Sequence, residues 1–404
     1  MVDSLEIRLG GLRVGELTGL GGDRTVFVFD DAYADNPGRP TLSLSFQTAS
    51  RDILSDQKPT RVRLSPFFAN LLPEGSLRTY LAERAGVEAV REFPLLAALG
   101  DDLPGAVTAH LQDREAFAGG EEPGDGPIAA PGGRRLRFSL AGVQLKFSAL
   151  AKAGGGLTIP ATGVGGDWIV KLPSTRYAGV AENEYAMMTL ARTLGIDVPE
   201  IQLLKLQDID DLPEGVGRLE GDAFAIRRFD RPADGGRVHI EDFAQIFGVY
   251  PQDKYSRASY RRIAEVIWRE TGEAGLVEFI RRLVFNALIG NADMHLKNWS
   301  LLYADGVTPT LAPAYDFVAT TAHIPDDNAA LKVARSKAWT DFNRDELSAL
   351  AGKAGLPETL VLAAAADTAA AFREVWARER RHLLLPDFVA EAIDRQLEIV
   401  PLAH

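Results

Sequence analysis

One stretch constrains this chain more than any other. Leu276, Phe279, Ile280, Leu283, Val284, Ala287 and Leu288 recur at helical spacing, so residues 276–289 predict an amphipathic helix with one buried face. It runs directly into Asn291-Ala292-Asp293-Met294-His295-Leu296-Lys297-Asn298, and Tyr315-Asp316-Phe317 follows. A loop anchored on a rigid helix can hold Asp293, Asn298 and later Asp316 in fixed places. In phosphoryl transfer by protein kinases, an Asp accepts the substrate hydroxyl proton, while an Asn and a later Asp hold magnesium against the ATP phosphates. Such catalysis is mostly positioning and charge neutralisation, so the base needs a fixed position more than a high pKa. Asn298 offers an amide oxygen and Asp316 a carboxylate, hard ligands of the kind magnesium prefers. A short strand over Trp299–Tyr303 and a turn at Gly306 would return Asp316 beside Asn298. A lone Asp is more simply a loop cap or a solvated carboxylate; the ordered trio points to metal-assisted phosphoryl transfer.

Upstream, Lys171 ends an apolar strand, Trp168-Ile169-Val170-Lys171. On its own it reads as a snorkelling edge residue; in this order it is the expected cation for the α- and β-phosphates. Glu182 or Glu184, on a helix predicted over residues 182–194 and closed by Gly195, could orient its ammonium. Ser139-Leu140-Ala141-Gly142-Val143-Gln144-Leu145-Lys146 places small residues where backbone N–H groups could approach a phosphate. It matches neither standard glycine-rich fingerprint, and an ordinary tight turn is the competing reading.

The rest of the chain supplies a frame. Leu5, Ile7 and Leu9 alternate into Gly10-Gly11 and then Leu12, Val14 and Leu17, a hairpin signature. Thr25–Phe29 and Leu42–Phe46 read as further strands, and the pattern turns helical from Pro66. We expect an α+β unit over residues 1–112 and a Gly/Pro-rich linker over 113–135. A β-rich, kinase N-lobe-like region over 136–235 and a helical C-lobe over 236–404 should follow, with the chemistry at their junction. The 404 residues carry a net charge of −12, a poor match to autonomous DNA binding. Cysteine is absent, which removes disulfides, thiolate metal sites and cysteine nucleophiles and fits a cytoplasmic protein. The six histidines form no zinc-type pair, and neither a membrane span nor a secretory signal is visible.

Taken together, Ser139–Lys146, Ile169–Pro173, Asn183–Tyr185, Arg228–Arg231, Ile240–Gln245, Leu288–Asn298 and Ala314–Phe317 resemble the HipA family of bacterial serine/threonine-protein kinase toxins. Phe67–Gly75 and Gly100–Gly105 resemble that family's N-terminal domain. The resemblance implies an α+β, two-lobed, kinase-like fold with a small N-terminal α+β subdomain and a largely helical C-lobe, using ATP and Mg2+. It implies Asp293 as base, Asn298 and Asp316 as magnesium ligands and Lys171, with Glu184, at the ATP phosphates. Ala141, Gly142, Val143, Gln144, Leu145 and Lys146 would form the phosphate loop. Phe229 and its neighbours, with Arg227 where the family often has Glu, would form the adenine hinge, and His295, Lys297 and Tyr315 would lie in the nucleotide site. Ser139 matches a serine that the family autophosphorylates. Nearly two added negative charges there would repel ATP phosphates and switch the enzyme off. The resemblance further implies a translation protein such as an aminoacyl-tRNA synthetase as substrate. It also implies a HipB-like helix-turn-helix antitoxin that makes the DNA contacts.

Three other readings compete. A small-molecule kinase shares the Asp293–Asn298 spacing but not the remaining segments. A non-catalytic binding protein that kept the fold would be expected to have lost one of Lys171, Asp293, Asn298 or Asp316. A metal-dependent nuclease or hydrolase would leave Lys171 and residues 139–146 without a task.

Overall fold

Gly10 and Gly11 both take positive φ, 57° and 86°, a conformation that side chains resist and that suits a tight hairpin. They fold β1 (Ser4–Leu9) onto β2 (Leu12–Gly19), with Leu9 opposite Leu12. This is seen in a computed structural model that describes residues 3–404 apart from 56, 62, 113–144, 153–155, 160–165, 213–218 and 326. The expected linker and the glycines at 154 and 155 lie outside the described residues, as do 136–144 of the second β region.

β3 (Thr25–Phe29) and, far along the chain, β4 (Val107–Leu111) complete a sheet ordered β3-β2-β1-β4. Between them lie α1 (Asp31–Ala34), α2 (Pro66–Leu71), α3 (Gly75–Arg84) and α4 (Glu92–Leu99). Leu5, Ile7, Leu17 and Phe27 on the sheet pack with Phe67 and Phe68 of α2 and Leu95 and Leu96 of α4 in a core of their own. Leu42–Phe46 is not the expected strand. Ser43 instead caps a 3-10 turn over Leu44–Phe46. The alternating pattern arises because two cores share the segment: Leu42 and Phe46 enter the N-terminal core, while Leu44 packs against the helical one.

The second sheet runs β8-β10-β7-β5-β6-β9. Its elements are β5 (Lys146–Ala151), β6 (Leu157–Thr158), β7 (Trp168–Lys171), α5 (Val180–Thr193), β8 (Ile201–Lys205), β9 (Ile209–Asp210) and β10 (Asp222–Arg227). Phe147, Ala149, Val170 and Ala223 on one face pack with Tyr80 and Leu81 of α3. Phe224 and Ile226 on the other pack with Met187 and Leu190 of α5. The sheet is thus covered on one side by the N-terminal module and on the other by its own helix.

The helical lobe begins with β11 (His239–Asp242), α6 (Phe243–Ile246) and α7 (Tyr260–Ile289). The expected helix extends back to Tyr260, broken at Gly272 (φ 67°, ψ −152°). β12 (Ser300–Tyr303) joins β11 to β13 (Thr310–Leu311), and α8 (Arg344–Ala354), α9 (Glu358–Glu379) and α10 (Asp387–Ile399) follow. The buried face of α7 carries Leu276, Phe279, Leu283 and Leu288, as the periodicity required. The N-terminal module is hooked to β11. Glu241, fully buried, accepts from Ser43 Oγ (2.6 Å), Leu44 N (3.1 Å) and the Tyr303 hydroxyl, and His239 Nε2 meets Leu42 O at 2.8 Å. A buried carboxyl needs such partners, because an unsatisfied buried polar group costs about 1–3 kcal/mol. Asp102 and Gly105 are likewise held, by Arg231 (2.8 Å) and Asp230 (2.8 Å).

Candidate active site

The site lies where β7, α5 and the loop after α7 converge. Lys171, the last residue of β7, is only 8% exposed. Its Nζ donates to Glu184 Oε1 at 2.6 Å and to Asp316 Oδ1. Glu184 is therefore the partner, since it occupies the buried face of α5, while Glu182 is only half-buried. Burial alone would discharge the ammonium, but the Asp316 and Glu184 carboxylates outweigh it and hold the Lys171 pKa above its ordinary value. Burial pushes Glu184 up, opposed by Lys171. Asp316 is pushed up by burial too, yet Lys171 and Lys146 hold its carboxyl well below the usual range. The β5–β7 register sets Lys146 directly opposite Lys171, so their side chains share a face.

The loop carrying Asp293 is fixed from several directions. Gly290 ends α7 in the left-handed region (φ 68°), and a Cβ there would stand 2.2 Å from Thr321 Oγ1. Thr320 Oγ1 donates to Gly290 O (3.1 Å) and accepts from Ala292 N (2.7 Å). Asn291 is the keystone. Its Nδ2 donates to Asp316 O (3.1 Å) and Asn286 Oδ1 (2.8 Å), and its Oδ1 accepts from Asp293 N (3.1 Å). Asp316 itself adopts φ 59°, a left-handed conformation costing roughly 1 kcal/mol outside glycine, and Asn291 braces it. Asn298 Nδ2 donates to Asp293 O (2.9 Å), which directs its amide oxygen away for another partner.

Asp293 Oδ1 accepts from the Tyr255 hydroxyl. Burial raises the Asp293 carboxyl above its ordinary value, opposed by the Tyr255 bond and reinforced by Asp316. His295 packs edge-on against Tyr255, with ring centroids 4.9 Å apart. Burial, aided by Lys254, lowers its pKa to about 3, so it is neutral, and its buried Nδ1 has no hydrogen-bond partner among the described residues.

The other expected residues fall at different distances from this centre. The Phe229 and Tyr315 rings lie 5.8 Å apart, and the Tyr315 hydroxyl donates to Lys297 O at 2.9 Å. Arg227 turns to Glu200 (3.5 Å) and Asp167 (3.7 Å). Lys297 points to the N-terminal module, to Asn70 O and Glu74 Oε1, both at 3.0 Å. Leu145 is buried beside β7, its carbonyl accepting from Leu172 N at 2.8 Å. Ser139, Ala141, Gly142, Val143 and Gln144 lie outside the described residues. Tyr255 and Lys254 carried no sequence signal, because they reach the loop through the fold. Asn291 and Glu74 sat inside quoted motifs, yet only their contacts reveal their use.

Asp316 and Asn298 offer two hard oxygen donors of the kind magnesium takes. Magnesium usually keeps several waters and takes few protein ligands.

A β-rich lobe carrying a carboxylate-paired lysine, set against a helical lobe carrying Asp293 and Asn298 on one loop and Asp316 on the segment after β13, defines a mixed α+β fold of the protein-kinase type. Residues 5–110 match the HipA N-terminal domain and residues 138–376 the HipA-like C-terminal domain; the chain belongs to the HipA family. It is 52% identical to Y4dM, a candidate kinase of Sinorhizobium fredii, over 99% of this chain and 98% of that one. It is 27% identical to the serine/threonine-protein kinase toxin HipA of Shewanella oneidensis, over 89% and 85%. The Shewanella oneidensis HipA solved with HipB and its operator DNA superposes with a TM-score of 0.73 at 24% identity, covering 98% of this chain and 96% of that one. No helix among the described residues is long and apolar enough to cross a membrane.

Proposed function

We propose that this chain is an ATP- and magnesium-dependent serine/threonine-protein kinase acting as the toxin of a HipBA-like pair. The observation that carries the reading is Lys171 held between Glu184 and Asp316, with Asp293 and Asn298 on the adjoining loop. Lys171, kept charged by its carboxylates, receives the α- and β-phosphates of ATP, and Lys146 adds positive charge on the same face. Asn298 and Asp316 hold magnesium, which when bound neutralises charge on the phosphates. Asp293 receives the proton of the substrate hydroxyl as its oxygen bonds to the γ-phosphorus and the bond to the ADP oxygen breaks. Phe229 and Tyr315 provide an aromatic wall for the base. Arg227, committed to ion pairs within its own lobe, contributes backbone rather than side chain to that hinge.

The substrate is a translation protein such as an aminoacyl-tRNA synthetase. A HipB-like antitoxin supplies the DNA contacts that a chain of net charge −12 is unsuited to make. Phosphorylation of Ser139 switches the enzyme off. The test is incubation with Mg-ATP followed by phosphosite mapping, with Asp293→Asn as control. The expected result is phosphate on Ser139 in the unmodified chain and a loss of about 10²- to 10⁴-fold in rate in the variant. Measurable transfer that Asp293→Asn leaves intact would overturn the assignment of the base.

A further inference from the structure

The N-terminal module has a carboxylate in the catalytic loop's supporting layer that the kinase reading does not use. Glu74, at the start of α3, lies between two ammonium groups: Lys254 Nζ at 2.9 Å from Oε2 and Lys297 Nζ at 3.0 Å from Oε1. Burial would raise its pKa, but Lys297 and Lys254 outweigh this and hold the carboxyl at about 2, so it is ionised. Lys297 also donates to Asn70 O (3.0 Å), and Asn70 is pinned by its own bonds to Pro66 O and Val249 O, each 2.8 Å. Asp242 Oδ2 stands 3.8 Å from the Lys297 ammonium.

Each lysine is next to a residue that meets the site. Lys297 precedes Asn298, whose amide holds Asp293 O, and the Lys297 carbonyl receives the Tyr315 hydroxyl. Lys254 precedes Tyr255, whose hydroxyl holds the Asp293 carboxylate. The two segments also touch directly, Leu296 N donating to Lys254 O at 3.4 Å. Two ammonium groups brought this close repel each other, and a carboxylate between them turns repulsion into attraction. Removing it would push apart the two segments that orient the base.

We propose that Glu74 is a positioning residue for phosphoryl transfer: its carboxylate clasps Lys254 and Lys297 and so fixes the orientation of Asp293 and Asn298. This rests on the kinase reading for its effect on rate, though the clasp itself can be read without activity. The N-terminal module is then part of the catalytic apparatus, and Lys297, expected in the nucleotide site, acts as a clasp residue.

The experiment compares Glu74→Ala, Glu74→Gln and Glu74→Asp in the full chain by hydrogen exchange and by phosphotransfer. Glu74→Ala should speed exchange of the amides of residues 291–298 and lower kcat about tenfold to a hundredfold, the scale of misplacing a catalytic group by an ångström. KM for ATP should change much less than kcat, because Lys171 and Asp316 are untouched and only Asn298 of the nucleotide site loses support. Glu74→Asp should recover part of kcat, a rescue that a loss of general stability would not give. Glu74→Gln keeps the volume and serves if the alanine variant does not fold. Unchanged exchange and unchanged kcat would overturn the proposal, as would a change confined to KM. A chain inactive before any substitution would instead remove the kinase reading, and the exchange measurement would still decide whether Glu74 holds the loop.

Discussion

Lys171 sits where a single atom, Nζ, reconciles two carboxylates. Replacing it with Met leaves Glu184 and Asp316 buried and facing each other, and like charges raise each other's pKa. ATP affinity should fall about tenfold to a hundredfold, the weight of a charge-assisted hydrogen bond. The stability profile should also change. In the unmodified chain burial already pushes Glu184 up to about 7 despite Lys171, so its contribution is lost as pH rises, while Asp316 acts in the opposite sense. In the unmodified chain the Asp316 carboxyl is held below its ordinary 3.8, so its contribution is complete above that value and is lost as pH falls. In Lys171→Met both folded carboxyls lie above their unfolded values, so stability should decline more steeply as pH rises than in the unmodified chain; thermal melts of the two at about pH 5 and about pH 8 read the difference. Asp293 gives a second test. Its carboxyl is raised by burial and lowered by the Tyr255 bond, and a base works only unprotonated. The acid limb of kcat/KM should lie above 3.8, and Tyr255→Phe should move it to higher pH. A limb that moves down would show that the phenol does not hold the base. Lys171, Asp293, Asn298 and Asp316 stood out together in the sequence because the phosphoryl transfer proposed for them would fix their order and spacing. Tyr255 was not, since its hydroxyl reaches Asp293 across 38 residues of chain by the path of the 250–259 segment.

Elements show the same division. α7 was legible from its apolar stripe, and Gly290 is where it must stop: φ is 68° and Thr321 occupies the space of a Cβ. Gly290→Ala should cost about 1–2 kcal/mol for the left-handed backbone alone. It should also lower kcat by shifting the loop toward Asp293, which melting and steady-state rates would show together. At α8, Glu346 accepts from the amides of Ala334, Arg335 and Ser336 at 2.9, 2.6 and 3.0 Å and from Arg335 Nε at 2.7 Å. Burial opposes these bonds, but they hold its carboxyl at about 2 against an ordinary 4.5. Its contribution is therefore present above about pH 4.5 and lost as pH falls toward 2. Glu346→Ala should cost roughly 2 kcal/mol at neutral pH and much less in acid, measured by denaturant melts. No periodicity announces such a residue, because it serves the amides of a loop. Leu42–Phe46 shows the converse: a true alternation was produced by two separate cores, and it gave a 3-10 turn where a strand was expected.

Over the whole molecule, hydropathy patterning gave the β-rich and helical regions, because each has an apolar face of its own. The joint between them and the N-terminal module was only partly legible: Tyr80 and Leu81 pack apolar on the second sheet, but its polar part is built from single residues, Ser43 on Glu241, Asp102 on Arg231 and Glu74 on two lysines. That joint carries a further consequence through β1 and β4. These strands pair as neighbours, Leu9 opposite Val107 and Leu5 opposite Leu111, so the module's path starts and finishes on two adjacent strands. Severing the chain between Gly124 and Asp125 would remove one covalent link and leave every hydrogen bond among the described residues intact. Two polypeptides made separately, 1–124 and 125–404, should therefore find each other and copurify as a stoichiometric pair. The shorter one would then be a detachable subunit of the enzyme, and its concentration would set how much of the longer one is assembled.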